Sequence, residues 1–213
     1  MHLIVTEKDL AAKRIAEILS NGEVKAAKMS GINAYRFDGM LVIGLKGHIV
    51  KLDFSEGYRD WRIDLHKLVH ADIITVPTHK TIVSALKRAS KDAEEVTIAT
   101  DFDREGELIG LEACNIIRSV KDIKVQRVRF SAMTPLEVKR AFRSPTKLDF
   151  NLARSGETRQ AVDLIWGAAL TRFISMAAKR LGNNFLSAGR VQSPTLALIV
   201  DRERSIAQFV PEP

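Results

Sequence analysis

Seven residues, Asp101 to Glu107 (Asp-Phe-Asp-Arg-Glu-Gly-Glu), constrain this fold more than any other stretch. They set Asp101, Asp103 and Glu105 at alternate positions directly after the apolar run Val96-Thr97-Ile98-Ala99-Thr100. A short run of β-branched and small apolar residues reads as a buried strand. Beyond it, Leu108, Ile109, Leu111, Ala113, Ile116 and Ile117 recur at helical spacing. The acidic cluster therefore stands where a strand hands over to a helix, the edge at which open α/β sheets bind ligands. Carboxylates crowded there repel one another unless a hard cation neutralises them, and Mg²⁺ is the usual one. A second apolar run, His2-Leu3-Ile4-Val5-Thr6, ends in Glu7 with Lys8 after it. A plainer reading makes the acids simple helix N-terminal charges favoured by the macrodipole. That accounts for one or two carboxylates but not for their alternation. Asp101 and Asp103 are thus expected as the main Mg²⁺ ligands, with Glu105 binding directly or through water.

The rest of the chain supports a sheet protein followed by helices. A first helix is expected from Leu10 to Leu19, capped at Asp9, with Leu10, Ile15, Ile18 and Leu19 turned inward. Residues 35 to 54 alternate between glycine turns and read as short strands, residues 55 to 77 as irregular, and Lys80 to Lys91 as a helix. A strand is expected over Lys124 to Phe130, and Thr134-Pro135 opens a helix with threonine as cap. This β-α alternation predicts an α/β fold with a mostly parallel sheet flanked by helices. From Ser144 onward strand patterns cease, and helices are expected over about 149 to 181 and 189 to 207. The domains predicted are therefore 1–143 and a smaller all-helical 144–213.

Charge points to a polyanionic partner. The chain carries a formal +7, and its basic residues change type along the length. Residues 144–213 hold seven arginines and two lysines, against eleven arginines and thirteen lysines before them. The planar guanidinium matches phosphate oxygens better than an ammonium does. No apolar run approaches the ~20 residues of a membrane span and the N-terminus lacks a secretory pattern, so no membrane partner and a cytoplasmic address are expected. Cys114, the one cysteine, is expected in the core.

An acid closing the first strand, followed later by Asp-x-Asp-x-Glu, resembles the Toprim fold. The longer string Asp101 to Glu107 resembles the type IA DNA topoisomerases, and further stretches agree along nearly the whole chain. Thr6-Glu7-Lys8 looks like that family's first motif, and Gly47-His48-Ile49 like its Gly-His-hydrophobic turn. Arg127 to Thr134 resembles the strand and turn after the Toprim core. Arg159 to Gly167 is similar to the Arg-x-x-x-Asp-x-x-x-Gly helix, and Leu186 to Ser193 to the Ser-x-Gly-Arg-Val-Gln-Ser motif.

The resemblance implies roles for residues that spacing alone leaves open. Glu7 would supply a proton to the 3′-hydroxyl released on strand cleavage, Lys8 would neutralise the transferring phosphate, and Arg127 would serve the same centre. Arg159 and Asp163, four apart on one helix face, and Arg190, Gln192 and Ser193 would bind DNA. If Lys8, Arg127, Arg159 and Arg190 each met a phosphate, log affinity for single strands would fall against log salt with a slope of about −3. The family's nucleophilic tyrosine lies in a motif well past Ser-x-Gly-Arg. Here Tyr35 and Tyr58 both precede the acidic motif, so an N-terminal fragment inactive by itself is expected. Its partners would be single-stranded and negatively supercoiled DNA and the tyrosine-bearing part of the same enzyme, with the protein a monomer. Two rivals stand beside this reading: a Toprim-type metal-dependent nuclease or primase-like enzyme, and a DNA-binding module whose acids are structural.

Overall fold

The computed structural model describes residues 1–211 and divides into two compact units: Met1–Lys51 with Thr75–Thr158, and Leu52–Ile74 with Arg159–Pro213. The first unit is built on a six-stranded sheet. Its strands are β1 (His2–Thr6), β2 (Lys25–Met29), β3 (Ile32–Phe37), β4 (Met40–Gly44), β7 (Glu95–Ala99) and β8 (Lys124–Arg127), in the order β2-β3-β4-β1-β7-β8. The pairs β4–β1, β1–β7 and β7–β8 are parallel; β2–β3 and β3–β4 are antiparallel hairpin neighbours. The sheet is thus parallel from β4 to β8 and antiparallel at the β2 edge. Two further strands, β5 (Val50–Phe54) and β6 (Ile73–Pro77), pair as a separate ribbon.

Side chains alternate across the central strands and build a core on each face. On one face Leu3, Val5, Leu41, Ile43, Val96 and Ile98 meet the buried stripes of α3 (Lys80–Asp92) and α4 (Arg104–Arg118). On the other, Ile4 and Val42 meet Ala12, Ile15 and Ile18 of α1 (Asp9–Leu19) and Val138 and Ala141 of α5 (Pro135–Arg143). Helices on both sides of a sheet with a parallel centre are what period-2 and period-3.6 patterns in alternation require.

Three local expectations differ. Leu10 is 81% exposed rather than inward. Asp9 does not cap its helix; Lys8 holds the cap position without a side-chain bond. The Asp9 carboxylate instead accepts from Asn33 Nδ2 at 2.7 Å and from the Tyr35 hydroxyl at 3.1 Å, both on β3. Residues 55–77, read as irregular, contain a short helix α2 (Leu65–Val69), capped by Asp64 accepting from His66 N, and the strand β6. Thr134 does cap α5, with Pro135 in the first turn.

The second unit is helical. It holds most of α6 (Phe150–Ala177), whose first residues belong to the first unit, and α7 (Gln192–Gln208). Its small apolar cluster gathers Phe54, Leu68 and Ala71 with Leu164, Ile165, Ala168 and Ala169 of α6. Arg172 is nearly buried beside it and donates to the carbonyls of Tyr58 and Asp60, both at 2.9 Å. Among the described residues no helix is long and apolar enough to cross a membrane.

Candidate active site

The parallel strands β4, β1 and β7 end on one edge, and each delivers chemistry there. Thr6 is in register with both Gly44 and Ala99, so Glu7 and Lys8 leave the sheet between the segment after β4 and the segment after β7. Backbone bonds fix the first of these: Leu45 N donates to Thr6 O at 2.9 Å and Gly47 N to Glu7 O at 3.1 Å. Glu7 and Lys8 pair at 3.2 Å, with Lys8 exposed. The Glu7 carboxylate, and behind it Asp101, hold the Lys8 ammonium charged to higher pH than usual.

The acidic turn is folded by its own residues. Asp103 is the N-cap of α4, its Oδ1 accepting from Gly106 N at 2.7 Å. Thr100 Oγ1 donates to Gly106 O at 2.7 Å, so the chain doubles back tightly. A Cβ on Gly106 would lie 2.0 Å from the Asp101 carbonyl oxygen. Glycine is therefore required by the turn itself, a sufficient reason without any ligand. Asp101 and Asp103 are exposed.

Below this turn lies the most buried charge in the protein. Arg127, on β8, has no exposed surface; its Nε pairs with Glu107 at 3.2 Å, and Glu107 is equally buried. Its remaining donors reach the carbonyls of Thr100 (2.8 Å), Val128 (2.5 Å) and Asp101 (2.8 Å). Burial pulls the guanidinium's pKa down while Glu107 opposes it. Arg127 thus gathers the carbonyls that end β7 and holds the acidic turn from beneath. Glu107 also accepts from Arg129 Nη2 at 3.4 Å.

Glu105 is drawn toward the segment after β4. His48 Nε2 lies 3.1 Å from Glu105 Oε2, and Nδ1 lies 2.7 Å from Oε1 of Glu112. Glu112 is anchored in turn by Ile49 N at 3.0 Å. Bonding to Glu112, with Glu105 adding to it, raises the His48 pKa and favours an imidazolium that donates from both nitrogens. His48, Glu107, Glu112 and Arg129 escaped the sequence reading as site residues. The Gly47-His48-Ile49 motif was visible, but its partners lie 57 and 64 positions away.

Among the described residues no three His, Cys, Asp or Glu side chains converge as a preformed metal cage. Mg²⁺ does not need one, since it keeps several waters and takes one or two carboxylates. Asp101 and Asp103, hard oxygen donors exposed on one turn, suit such an ion; Glu107 is committed to Arg127.

In the second unit, Asp163 on α6 receives a two-pronged contact from Arg190, Nε–Oδ1 2.7 Å and Nη2–Oδ2 3.1 Å. Arg159 stands at 3.9 Å from the same carboxylate. Arg190 holds the Asp163 carboxyl below its usual range, with Arg159 assisting. Gln192 Oε1 accepts from Ser187 Oγ at 3.1 Å, and Ser193 Oγ accepts from Gly189 N at 3.2 Å. Thr171 and Ser175 of α6 fix the preceding segment: Thr171 Oγ1 accepts from Ala188 N at 3.0 Å and Ser175 Oγ from Leu186 N at 2.9 Å. Sequence reading missed both, because a Thr and a Ser four apart on a helix carry no signal until the loop they hold is known. The structure thus gathers Glu7, Lys8, Asp101, Asp103, Glu105 and Arg127 in the first unit and Arg159, Asp163, Arg190, Gln192 and Ser193 in the second.

A parallel-centred sheet with an acidic strand-to-helix turn and an acid after its first strand defines a Toprim-class protein, and the Toprim domain family matches residues 2–133. A DNA topoisomerase family matches residues 147–213. DNA topoisomerase 1 of Archaeoglobus fulgidus is 51% identical over 99% of this chain, and that of Thermoplasma acidophilum 45% over 99%. Human DNA topoisomerase 3-alpha is 35% identical over 99%. Full-length topoisomerase I from Thermotoga maritima superposes with a TM-score of 0.66 at 31% identity, over 99% of this chain and 31% of that one. This chain belongs to the type IA DNA topoisomerase family. It spans 32%, 28% and 23% of the length of the three relatives named.

Proposed function

We propose that this chain supplies the Mg²⁺-binding acidic turn and part of the single-stranded-DNA groove of a type IA DNA topoisomerase. Residues 1–143 would act as the Toprim domain and 144–213 as part of a helical DNA-binding domain. The observation that carries the reading is the meeting of Glu7, Lys8 and the Asp101–Glu105 turn at the ends of adjacent parallel strands. Mg²⁺ bound by Asp101 and Asp103 would offset charge at the transferring phosphate. Lys8, exposed and held charged by Glu7, is placed to meet a phosphate oxygen. Glu7, in its protonated state and with Lys8 turned to the phosphate, would be the proton donor for the departing 3′-hydroxyl, a contribution worth ~10²–10⁴-fold. Arg127 acts on this centre through the backbone it holds, since none of its surface is open to DNA. In the second unit Arg190, oriented by Asp163, and Arg159 present guanidinium groups to DNA phosphates, with Gln192 and Ser193 beside them.

Tyr35 is buried against Asp9 and is not a nucleophile at this centre. Strand cleavage and relaxation would require the tyrosine-bearing remainder of a longer enzyme, working without ATP on negatively supercoiled DNA in the cytoplasm.

End-labelled single-stranded DNA incubated with the protein and Mg²⁺ tests this on paired native and denaturing gels. Binding without cleavage is expected. Free cut ends that vanish in Asp103→Asn would establish the nuclease or primase-like alternative instead. With Arg127 buried, three cations remain, Lys8 and Arg190 exposed and Arg159 half-buried, and the expected salt slope becomes about −2 rather than −3.

A further inference from the structure

Phe102 lies between the two exposed aspartates of the acidic turn, and it is 51% exposed. No core needs it there. Three observations show that its ring is nonetheless held in place. The guanidinium of Arg129 stacks on it, 4.8 Å from the ring centroid. Arg129 is itself tied to Glu107 at 3.4 Å, and Glu107 to the wholly buried Arg127 at 3.2 Å. A chain of charged contacts thus runs from the floor of the domain to an aromatic ring on its surface. The rotamer freedom that an exposed phenylalanine would lose on binding a ligand is already reduced.

The ring borders a cleft of about 460 Å³ lined by Asp101, Phe102, Asp103, Phe130, Ser131 and Met133, with Ala132. Its lining combines apolar and aromatic side chains with the two candidate metal ligands. Arg129 also lines a second cleft, with Thr134, Arg140, Ser144 and the carboxylate of Glu137. A fitting occupant offers a flat apolar face to Phe102 and negative groups that a cation at Asp101 and Asp103, and the guanidinium groups of Arg129 and Arg140, can meet. A nucleotide within a strand has that design, a π face between two phosphates, and stacking on aromatic rings is how strands are held without sequence preference.

We propose that Phe102, backed by Arg129, is a stacking platform for one nucleobase of single-stranded DNA next to the acidic turn. The proposal deepens the DNA-binding reading above and rests on it. Phe102 binds the base and takes no part in proton or phosphoryl transfer. Its neighbour Arg129 keeps the ring in place and faces the phosphate that follows.

The test uses the full chain with two oligomers of equal length, one of ordinary single-stranded DNA and one with every base removed. Phe102→Ala is expected to weaken binding of the ordinary strand by about 5- to 150-fold, the range for losing one base–aromatic stack, and to leave the abasic strand unaffected. Phe102→Trp should restore wild-type affinity, and Phe102→Leu, which keeps apolar bulk without a π face, should not. Equal losses on both oligomers, or none on either, would overturn the platform while leaving the groove intact. If wild-type protein bound neither oligomer, the DNA-binding reading and the platform would fall together.

Discussion

Leu41 and Leu198 are the same residue in regular secondary structure, yet Leu41 has no exposed surface and Leu198 is 72% exposed. Leu41 belongs to β4 in the middle of a six-stranded sheet covered by helices on both faces. Leu198 belongs to α7, in which no residue is buried. The first unit is self-sufficient: its strands and helices bury one another's apolar faces. In α7, Leu196, Leu198 and Ile199 are each more than half exposed. A helix can form from local propensity, whereas a core needs a partner surface, and among the described residues none buries the apolar side chains of α7.

The comparison breaks most sharply at Arg127. Replacing it with methionine leaves Glu107 charged and buried, and should cost about 3–5 kcal/mol in denaturant unfolding. Adding Glu107→Leu to Arg127→Met should recover much of that, because removing both charges of a buried pair is often near neutral. If the double variant were no more stable than the single one, Arg127 would matter for the carbonyls it gathers rather than for its charge partner. Leu41→Ala should cost about 2–5 kcal/mol, the range for a large-to-small change in a packed core. A loss below 1 kcal/mol, read from the same denaturation curves, would show the sheet to be looser than its burial indicates.

A smaller effect is set by His48, whose pKa is raised above the ordinary 6.5 by Glu112 and Glu105. A group protonated more readily when folded stabilises the fold fully below its unfolded value, and that contribution fades as pH rises through the folded value. In metal-free buffer, stability should therefore fall as pH rises above the ordinary imidazole value of 6.5, by an amount that His48→Gln removes. An unchanged pH profile in the variant would mean that the histidine bridges its two glutamates in neutral form.

The parts of this molecule legible in sequence were those fixed by local pattern. The β-branched runs gave β1 and β7, and the strand-to-helix handover placed the acidic turn. An arginine on a buried strand needs a carboxylate or phosphate opposite it, but Glu107 as that partner, 20 positions away, follows from nothing local. β2, with the sequence Lys-Ala-Ala-Lys-Met, has little strand propensity and exists because it edges the sheet against β3. Leu10 misled for the opposite reason: it fits helical spacing, but it is 81% exposed on a side of the first turn of α1 that no element of the first unit covers, while Ala12 of the same turn is fully buried. Asp9 looked like a cap because its residue type suits one, while Asn33 and Tyr35, distant in sequence, offered its carboxylate better bonds.

The smallest predicted effect is the sharpest test of the opening contrast. Leu198→Ala should change stability by no more than about 0.5 kcal/mol, since it removes a side chain that is already mostly in water and alanine is the better helix former. Hydrogen exchange should agree. Amides of β1, buried on both faces, should open only with the global unfolding of the first unit, whereas those of α7 should exchange through local openings of far lower free energy. The two measurements constrain one another. If Leu198→Ala cost as much as Leu41→Ala while α7 still exchanged quickly, the apolar face would be covered intermittently, by self-association of the chain. In that case the cost would grow with protein concentration. A cost that stays small at every concentration would mean that α7 is held by its ends and its own backbone bonds, with its leucines unengaged.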